Sequence, residues 1–173
     1  MKKWLPYILF ASTVLSAAGL LATSADGRED DSMEQLPKVE NAAWHSECSS
    51  CHMLYHPALL PSRSWKKIMG SLDRHFGENA SLEPAQRDEI TRFLTSNAAD
   101  HQLNQRSRRI VQSIPPDEAP VRISSTLYFI SRHDEIPNTL YQRKSIGSAS
   151  NCAACHRSAE QGEFSESTVR IPR

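Results

Sequence analysis

Two cysteine–histidine motifs of the same form carry the chemistry of this chain. They read CSSCH at residues 48–52 and CAACH at residues 152–156, and together they contain all four cysteines. Two thiols at this spacing can each form a thioether bond with a vinyl group of one porphyrin, and the adjacent histidine can then bind the iron. The sequence therefore predicts two covalently bound haem c groups, attached at Cys48, Cys51, Cys152 and Cys155 and with proximal iron ligands His52 and His156.

Other uses of paired cysteines fit the sequence less well. A redox dithiol normally begins a helix in a βαβ unit, and no parallel-sheet pattern surrounds these motifs. A four-cysteine zinc site usually spaces its pairs by about 15–20 residues, whereas Cys152 lies 104 positions after Cys48. Zinc also gives no reason for a histidine directly after each pair, and a disulfide within a pair would close a small, strained ring.

The N-terminus predicts export. Lys2 and Lys3 precede an apolar stretch at residues 4–22, and Thr23-Ser24-Ala25 places small residues at the −3 and −1 positions of a cleavage site. We expect residues 1–25 to be a signal peptide and the mature protein to be soluble and periplasmic. An uncleaved anchor is the alternative, because the apolar stretch is nearly long enough to span a bilayer; otherwise any membrane contact would be transient.

Composition excludes some partners and points to a cofactor-dependent core. Removing Lys2 and Lys3 takes the formal charge from 0 to −2, and no basic patch favours nucleic acid. Aromatic residues make up 7% of the chain, so a core made of protein alone would be thin. Two buried porphyrins would supply the missing apolar surface, and we expect the chain without haem to fold poorly.

The pattern of helices and breakers predicts a mostly α fold, a small helical dihaem protein with two lobes packed around the cofactors. Apolar residues at helical spacing predict helices from Ala42 to about Tyr55, from Ser62 to His75, from Ser81 towards Ala98, and from Thr126 to Ile136. Arginines and prolines at residues 106–120 suggest a connector between the lobes. The predicted organisation is a signal peptide (1–25), a flexible lead-in (26–40), an N-terminal haem lobe (41–105), the connector and a C-terminal haem lobe (121–173).

The sixth ligand of each iron decides what such a protein does. Only 17 residues follow His156, and they contain no His or Met, so the second haem must take its sixth ligand from upstream or have none. His133 lies on an apolar helical face 23 residues before His156, and His75 lies on another such face 23 residues after His52. We predict bis-histidine coordination that pairs His52 with His75 and His156 with His133. Met69, His101 and a crossed pairing are the weaker alternatives.

The same residues carry a resemblance to a known family. The chain resembles the bacterial periplasmic dihaem cytochromes c through residues 47–52, 60–65, 75–80, 122–133, 151–157 and 170–173. The resemblance implies two bis-histidine haems with distal ligands at His75 and His133. It also implies redox-protein partners: a membrane b-type cytochrome that supplies electrons and an oxygen-binding monohaem cytochrome c that receives them.

Coordination then predicts function. An iron with imidazole on both sides has no open position for a substrate, and it lacks the methionine ligand that raises the potential of many cytochromes c. We therefore predict a low-potential carrier of single electrons and not an enzyme. The alternatives are a dihaem peroxidase or reductase with one open iron, and the small dihaem electron-transfer subunit of a periplasmic reductase.

Overall fold

The computed structural model describes residues 35–173. The predicted signal peptide and residues 26–34 of the predicted lead-in lie outside this range. Residues 35–173 form helices and turns without a strand, apart from an isolated β-bridge between His75 and Glu78. The prediction of a mostly α fold is thus confirmed. No helix in this part of the chain is long and apolar enough to cross a membrane.

Short helices build the described chain. The α-helices are α1 (Ala42–Cys48), α2 (Ser62–Met69), α3 (Pro84–Ser96), α4 (Gln105–Gln112), α5 (Leu127–Arg132) and α6 (Asn138–Tyr141). Single 3-10 turns lie at Pro57–Leu59, Leu72–Arg74, Ala99–His101, Ile123–Ser125, Cys152–Ala154, Ala159–Gln161 and Glu166–Thr168. Several helices are shorter than the apolar spacing predicted. Beyond their ends the chain continues as turns.

One core cluster lies between α2 and α3. The amphipathic helix α2 buries Trp65, Ile68 and Met69 and leaves its lysines exposed. These side chains pack against the α3 residues Ile90 and Leu94, which are also buried. The Trp65 indole donates a hydrogen bond of 2.7 Å to the Pro57 carbonyl, so the polar end of this buried ring is satisfied.

A second core cluster forms where the sequence suggested a connector. Asn104 caps α4 by accepting a hydrogen bond from the Ser107 N–H at 2.8 Å. Ile110 and Ile114 are buried with Leu59 and with Leu36 of the lead-in. The segment at residues 106–120 is therefore ordered and packed through its first half, and a lobe boundary within it stays a prediction.

The end of the lead-in also belongs to the packed structure. Residues 35–40 have no regular secondary structure, yet Leu36 is only 2% exposed. The Pro37 carbonyl accepts a hydrogen bond of 2.7 Å from Nε2 of the buried His56. The polar composition of residues 26–40 gave no sign of this packing, because one apolar side chain and one backbone carbonyl account for it.

Candidate haem-binding sites

The first motif begins on a helix and leaves it. Helix α1 ends at Cys48, and Ser49 follows as its C-cap. Cys51 and His52 lie in the turn beyond it. The prediction that the helix continues to about Tyr55 is therefore wrong, since the chain turns directly after Cys48. Nδ1 of His52 lies 2.7 Å from the Met53 carbonyl. A carbonyl can only accept, so Nδ1 carries the proton and Nε2 keeps the lone pair that binds a metal.

His75 lies opposite His52 but on a different element from the one predicted. Helix α2 ends at Met69 with Gly70 as its cap, and a 3-10 turn at Leu72–Arg74 separates it from His75. The predicted continuous helix from Ser62 to His75 is thus wrong. His75 instead begins a tight turn in which its N–H and carbonyl both pair with Glu78, at 2.8 and 3.1 Å. The ring centres of His75 and His52 are 6.1 Å apart.

The residue after His75 has an unusual conformation. Phe76 has φ +55°, in the left-handed region that costs a non-glycine residue about 1–2 kcal/mol. Its ring meets the His75 ring edge-on at 4.8 Å, and the Arg122 guanidinium lies 4.1 Å from its centre. Gly77, at φ +106°, completes the two-residue turn with a conformation that glycine adopts without strain. The turn therefore holds an aromatic ring between the candidate ligand and an arginine of the C-terminal part.

The second motif and His133 form a matching pair. The Thr126 hydroxyl caps α5 by accepting from the Phe129 N–H at 3.2 Å, and the helix ends at Arg132 with His133 as its C-cap, short of the predicted Ile136. Nδ1 of His133 donates to the Phe129 carbonyl at 2.9 Å, and the two rings stack at 4.0 Å. The ring centres of His133 and His156 are 6.2 Å apart.

These two distances match one metal ion between two imidazoles. A metal–imidazole bond is about 2 Å long, so two rings bound to one ion from opposite sides have centres roughly 6 Å apart. Burial lowers the pKa of His75 and of His156, with the facing histidine as a second cause in each case. Both shifts favour the neutral imidazole, which is the form that binds a metal. The structure thus brings together the pairs His52–His75 and His133–His156.

The remaining histidines and Met69 are engaged or lie at the surface. His56 is 2% exposed; Nε2 donates to Pro37, and Nδ1 accepts from the Ala58 N–H at 3.1 Å. His45 and His101 are exposed. Met69 is buried in the first core cluster. No group of three or more His, Cys, Asp or Glu side chains in residues 35–173 is arranged to hold a metal ion.

Burial suppresses the ionisation of the motif thiols. It raises the pKa of Cys48 to about 11, with the Glu47 carboxylate as a second cause, and it raises the pKa of Cys152 to about 11 as well. It also raises the pKa of Cys155, while Cys51 is exposed. Thiols of this kind are neither activated nucleophiles nor ready thiolate ligands. A thioether has no proton to lose, so the same burial suits a haem attachment.

A cavity of about 580 Å³ lies at the second pair. Its wall includes Cys152, Cys155, His133 and His156, which are the four residues predicted for the second haem. The Tyr141 hydroxyl on this wall is buried, and it has no hydrogen-bond partner among the described residues. The cavity volume is within the usual range of ligand sites. This volume and the unpaired Tyr141 hydroxyl fit a large, mainly apolar ligand with polar substituents.

The two sites are neighbours, joined by the loop after the first motif. The Tyr55 ring lies 5.0 Å from the His52 ring, and its hydroxyl donates to the Ser150 carbonyl at 2.8 Å, just before the second motif. The Leu54 N–H donates to Glu160 at 3.2 Å, just after that motif. These contacts are 95 and 106 residues apart in sequence, and no periodicity could have indicated them.

Two residues of the second site were not predicted from the sequence. Arg106 and Phe164 both lie on the cavity wall. Arg106 precedes Ile110 and Ile114 at steps of four, which places it on the apolar face of α4. This four-residue spacing is visible in the sequence, but the neighbouring arginines and prolines favoured a connector.

Each of the two cysteine–histidine motifs lies beside a pair of facing histidine rings. This arrangement defines a c-type haem protein, and comparisons with known proteins agree. A family model described as "Dihaem cytochrome c" matches residues 44–164. The structure is similar to a diheme cytochrome c from Rhodobacter sphaeroides (40% identity, 75% of this chain and 99% of that chain, TM-score 0.66). It is also similar to a diheme cytochrome type c from Shewanella baltica OS155 (38% identity, 78% and 95%, TM-score 0.63). No curated protein matches the chain.

The chain belongs to the dihaem cytochrome c family. Membership implies two haem c groups with iron, as the sequence predicted, and electron transfer as the general function. The matched residues contain both motifs and both facing histidines.

Proposed function

We propose that this chain is a low-potential electron shuttle with bis-histidine coordination at both haems, His52 with His75 and His156 with His133. The facing imidazoles, 6.1 and 6.2 Å apart, carry this proposal. When bound, each haem supplies a one-electron couple. His52, His75, His133 and His156 would hold the two irons as paired imidazole ligands, and this coordination would leave no position for a substrate. Without a methionine ligand the potentials are expected to be low.

The contacts between the two sites support internal electron transfer. Tyr55 lies against His52 and bonds to Ser150 beside the second motif. Burial and the nearby Cys152 raise the pKa of Tyr55, so its hydroxyl keeps the proton that it donates to Ser150. We infer that an electron received at one haem reaches the other without a large movement of the chain.

Partners and compartment extend the proposal. Residues 1–25 have the features of a signal peptide, which supports a periplasmic carrier. The family resemblance supports a membrane b-type cytochrome as donor and an oxygen-binding monohaem cytochrome c as acceptor. A free shuttle should purify alone, whereas the small subunit of a periplasmic reductase should copurify with its large partner.

The first experiment is spectroscopy of the oxidised holoprotein, isolated from a periplasmic extract. Low-temperature EPR should show two low-spin ferric signals, and the reduced protein should not bind carbon monoxide. A redox titration should place both couples below those of Met/His cytochromes c. The N-terminal sequence of the same sample should begin at Asp26. A high-spin signal with carbon monoxide binding in the wild-type protein would contradict the shuttle and support an enzyme with an open iron.

A further inference from the structure

The two facing histidine pairs differ in the angle between their rings. The ring planes of His52 and His75 are 32° apart, whereas those of His133 and His156 are 79° apart. When two imidazoles bind one metal ion from opposite sides, this angle is their relative rotation about the axis through the metal. The first pair is therefore nearer to parallel, and the second pair is nearly perpendicular.

Phe129 contacts the His133 ring in two ways. Its carbonyl accepts a hydrogen bond of 2.9 Å from Nδ1 of His133, and its own ring stacks on the His133 ring at 4.0 Å with 18° between the planes. The last side-chain torsion of a histidine has broad preferences of its own, so neighbours of this kind decide the plane of a ligand ring. Phe129 is itself anchored, because its N–H donates to the hydroxyl of Thr126, which is 3% exposed.

The aromatic neighbour of His75 is arranged differently. The Phe76 ring meets the His75 ring edge-on at 4.8 Å, with 66° between the planes, and Phe76 is 48% exposed. A ring that approaches edge-on does not cover the face of the histidine and cannot impose its own plane on it. The distal histidines of the two sites therefore differ in what orients their rings, as well as in the orientation itself.

The angle between two axial imidazoles affects the electronic state of low-spin ferric iron. The unpaired electron of such an iron occupies a pair of d orbitals that interact with the π orbitals of the imidazoles. Parallel rings act on the same orbital and split the pair, which gives a rhombic EPR signal and stabilises the ferric state. Perpendicular rings act on one orbital each and leave the pair nearly equal in energy, which gives a strongly anisotropic signal with a higher largest g value.

We propose that Phe129 is a positioning residue that holds the His133 ring across the His156 ring, so that the second haem gives the strongly anisotropic signal and the first haem the rhombic one. Because perpendicular rings stabilise ferric iron less, Phe129 also makes the second haem easier to reduce than it would be with parallel rings. This inference rests on the proposed ligation of the second haem by His133 and His156, and it identifies what orients one of these two ligands.

The test is low-temperature EPR of the oxidised holoprotein, with Phe129→Leu compared to Phe129→Tyr. The wild-type protein should give one signal of each kind, and the strongly anisotropic one should be the low-spin signal that His133→Ala loses. Leucine keeps an apolar side chain and the backbone carbonyl but has no flat ring, so Phe129→Leu should lose the anisotropic signal and shift the second couple to lower potential. Phe129→Tyr keeps the stacked ring and should keep both signals and both potentials.

Leu127→Ala is the matched control, since Leu127 lies on the same helix and is 64% exposed; it should leave both signals unchanged. Two rhombic signals in the wild-type protein would overturn the perpendicular pair while leaving bis-histidine ligation, and with it the proposed function, intact. An anisotropic signal that persists in Phe129→Leu would overturn the role of Phe129. If Phe129→Leu does not retain the second haem, Phe129→Met makes the same comparison, and the wild-type spectrum tests the ring angle without any Phe129 variant.

Discussion

Replacing His75 or His133 with alanine is expected to turn one of the two haems high spin while the other stays low spin. Alanine removes the imidazole and leaves the sixth position of that iron open. Among the described residues, neither His56 nor Met69 is suited to replace it, since both ring nitrogens of His56 are engaged and Met69 is buried in the first core cluster. EPR of the oxidised variants and carbon monoxide binding by the reduced variants measure the change.

His101→Ala is the matched control for these variants. His101 is exposed at the end of a 3-10 turn, so its removal should leave both haems low spin and unreactive toward carbon monoxide. Each of the two ligand variants should bind about one carbon monoxide per molecule. Two low-spin haems in His133→Ala would show that another residue binds the second iron. A single high-spin signal shared by both variants would mean that they affect the same haem.

Replacing His56 with leucine should cost about 3 kcal/mol of unfolding free energy. His56 joins two parts of the chain, since it donates to Pro37 and accepts from the Ala58 N–H while almost fully buried. Leucine fills a similar volume but leaves the buried Ala58 N–H unpaired, which costs about 1–3 kcal/mol, and it also removes the hydrogen bond to the Pro37 carbonyl, which is worth about 1 kcal/mol. Denaturant titration of the oxidised holoprotein gives the change, with His45→Leu as an exposed control.

His56 should also make stability depend on pH. Burial lowers its pKa in the folded protein, and the hydrogen bond to Pro37 only partly opposes this. The unfolded chain therefore binds the proton at a higher pH than the folded chain does. This contribution to stability is complete above the ordinary histidine pKa of about 6.5 and is lost as the pH falls through the folded value. Wild-type stability should decrease from pH 7.5 to pH 5 more steeply than that of His56→Leu; equal slopes would contradict the assignment.

The sequence predicted the chemistry of the sites better than the elements that hold them. The two motifs are local, so their residues stay together in any fold. His75 and His133 could be chosen because few other side chains were available. The element of His75 was predicted wrongly because apolar spacing continues past Gly70, where the backbone turns. The left-handed conformation of Phe76 could not be predicted from the sequence, since a phenylalanine gives no local sign of it.

The features of the sites that could not be predicted from the sequence depend on long-range contacts. Arg106 could have been assigned to the apolar face of α4, but only the folded chain shows that this face meets a cofactor cavity. The bonds from Leu54 to Glu160 and from Tyr55 to Ser150 follow no pattern in the sequence. Such contacts arise when distant segments share a surface, and their positions depend on the packing of the whole chain.

The contacts of Leu54 and Tyr55 also imply an order of maturation. A chain emerges with its N-terminal part first, so residues 48–55 reach the haem attachment machinery well before residues 150–160. Thioether bonds at the first motif would fix the loop on which the second motif later settles. Loss of the first haem should thus reduce loading of the second, whereas loss of the second should spare the first. Haem counts by mass in the double variants Cys48→Ala/Cys51→Ala and Cys152→Ala/Cys155→Ala measure this asymmetry. The first haem would thus help to form the binding site of the second.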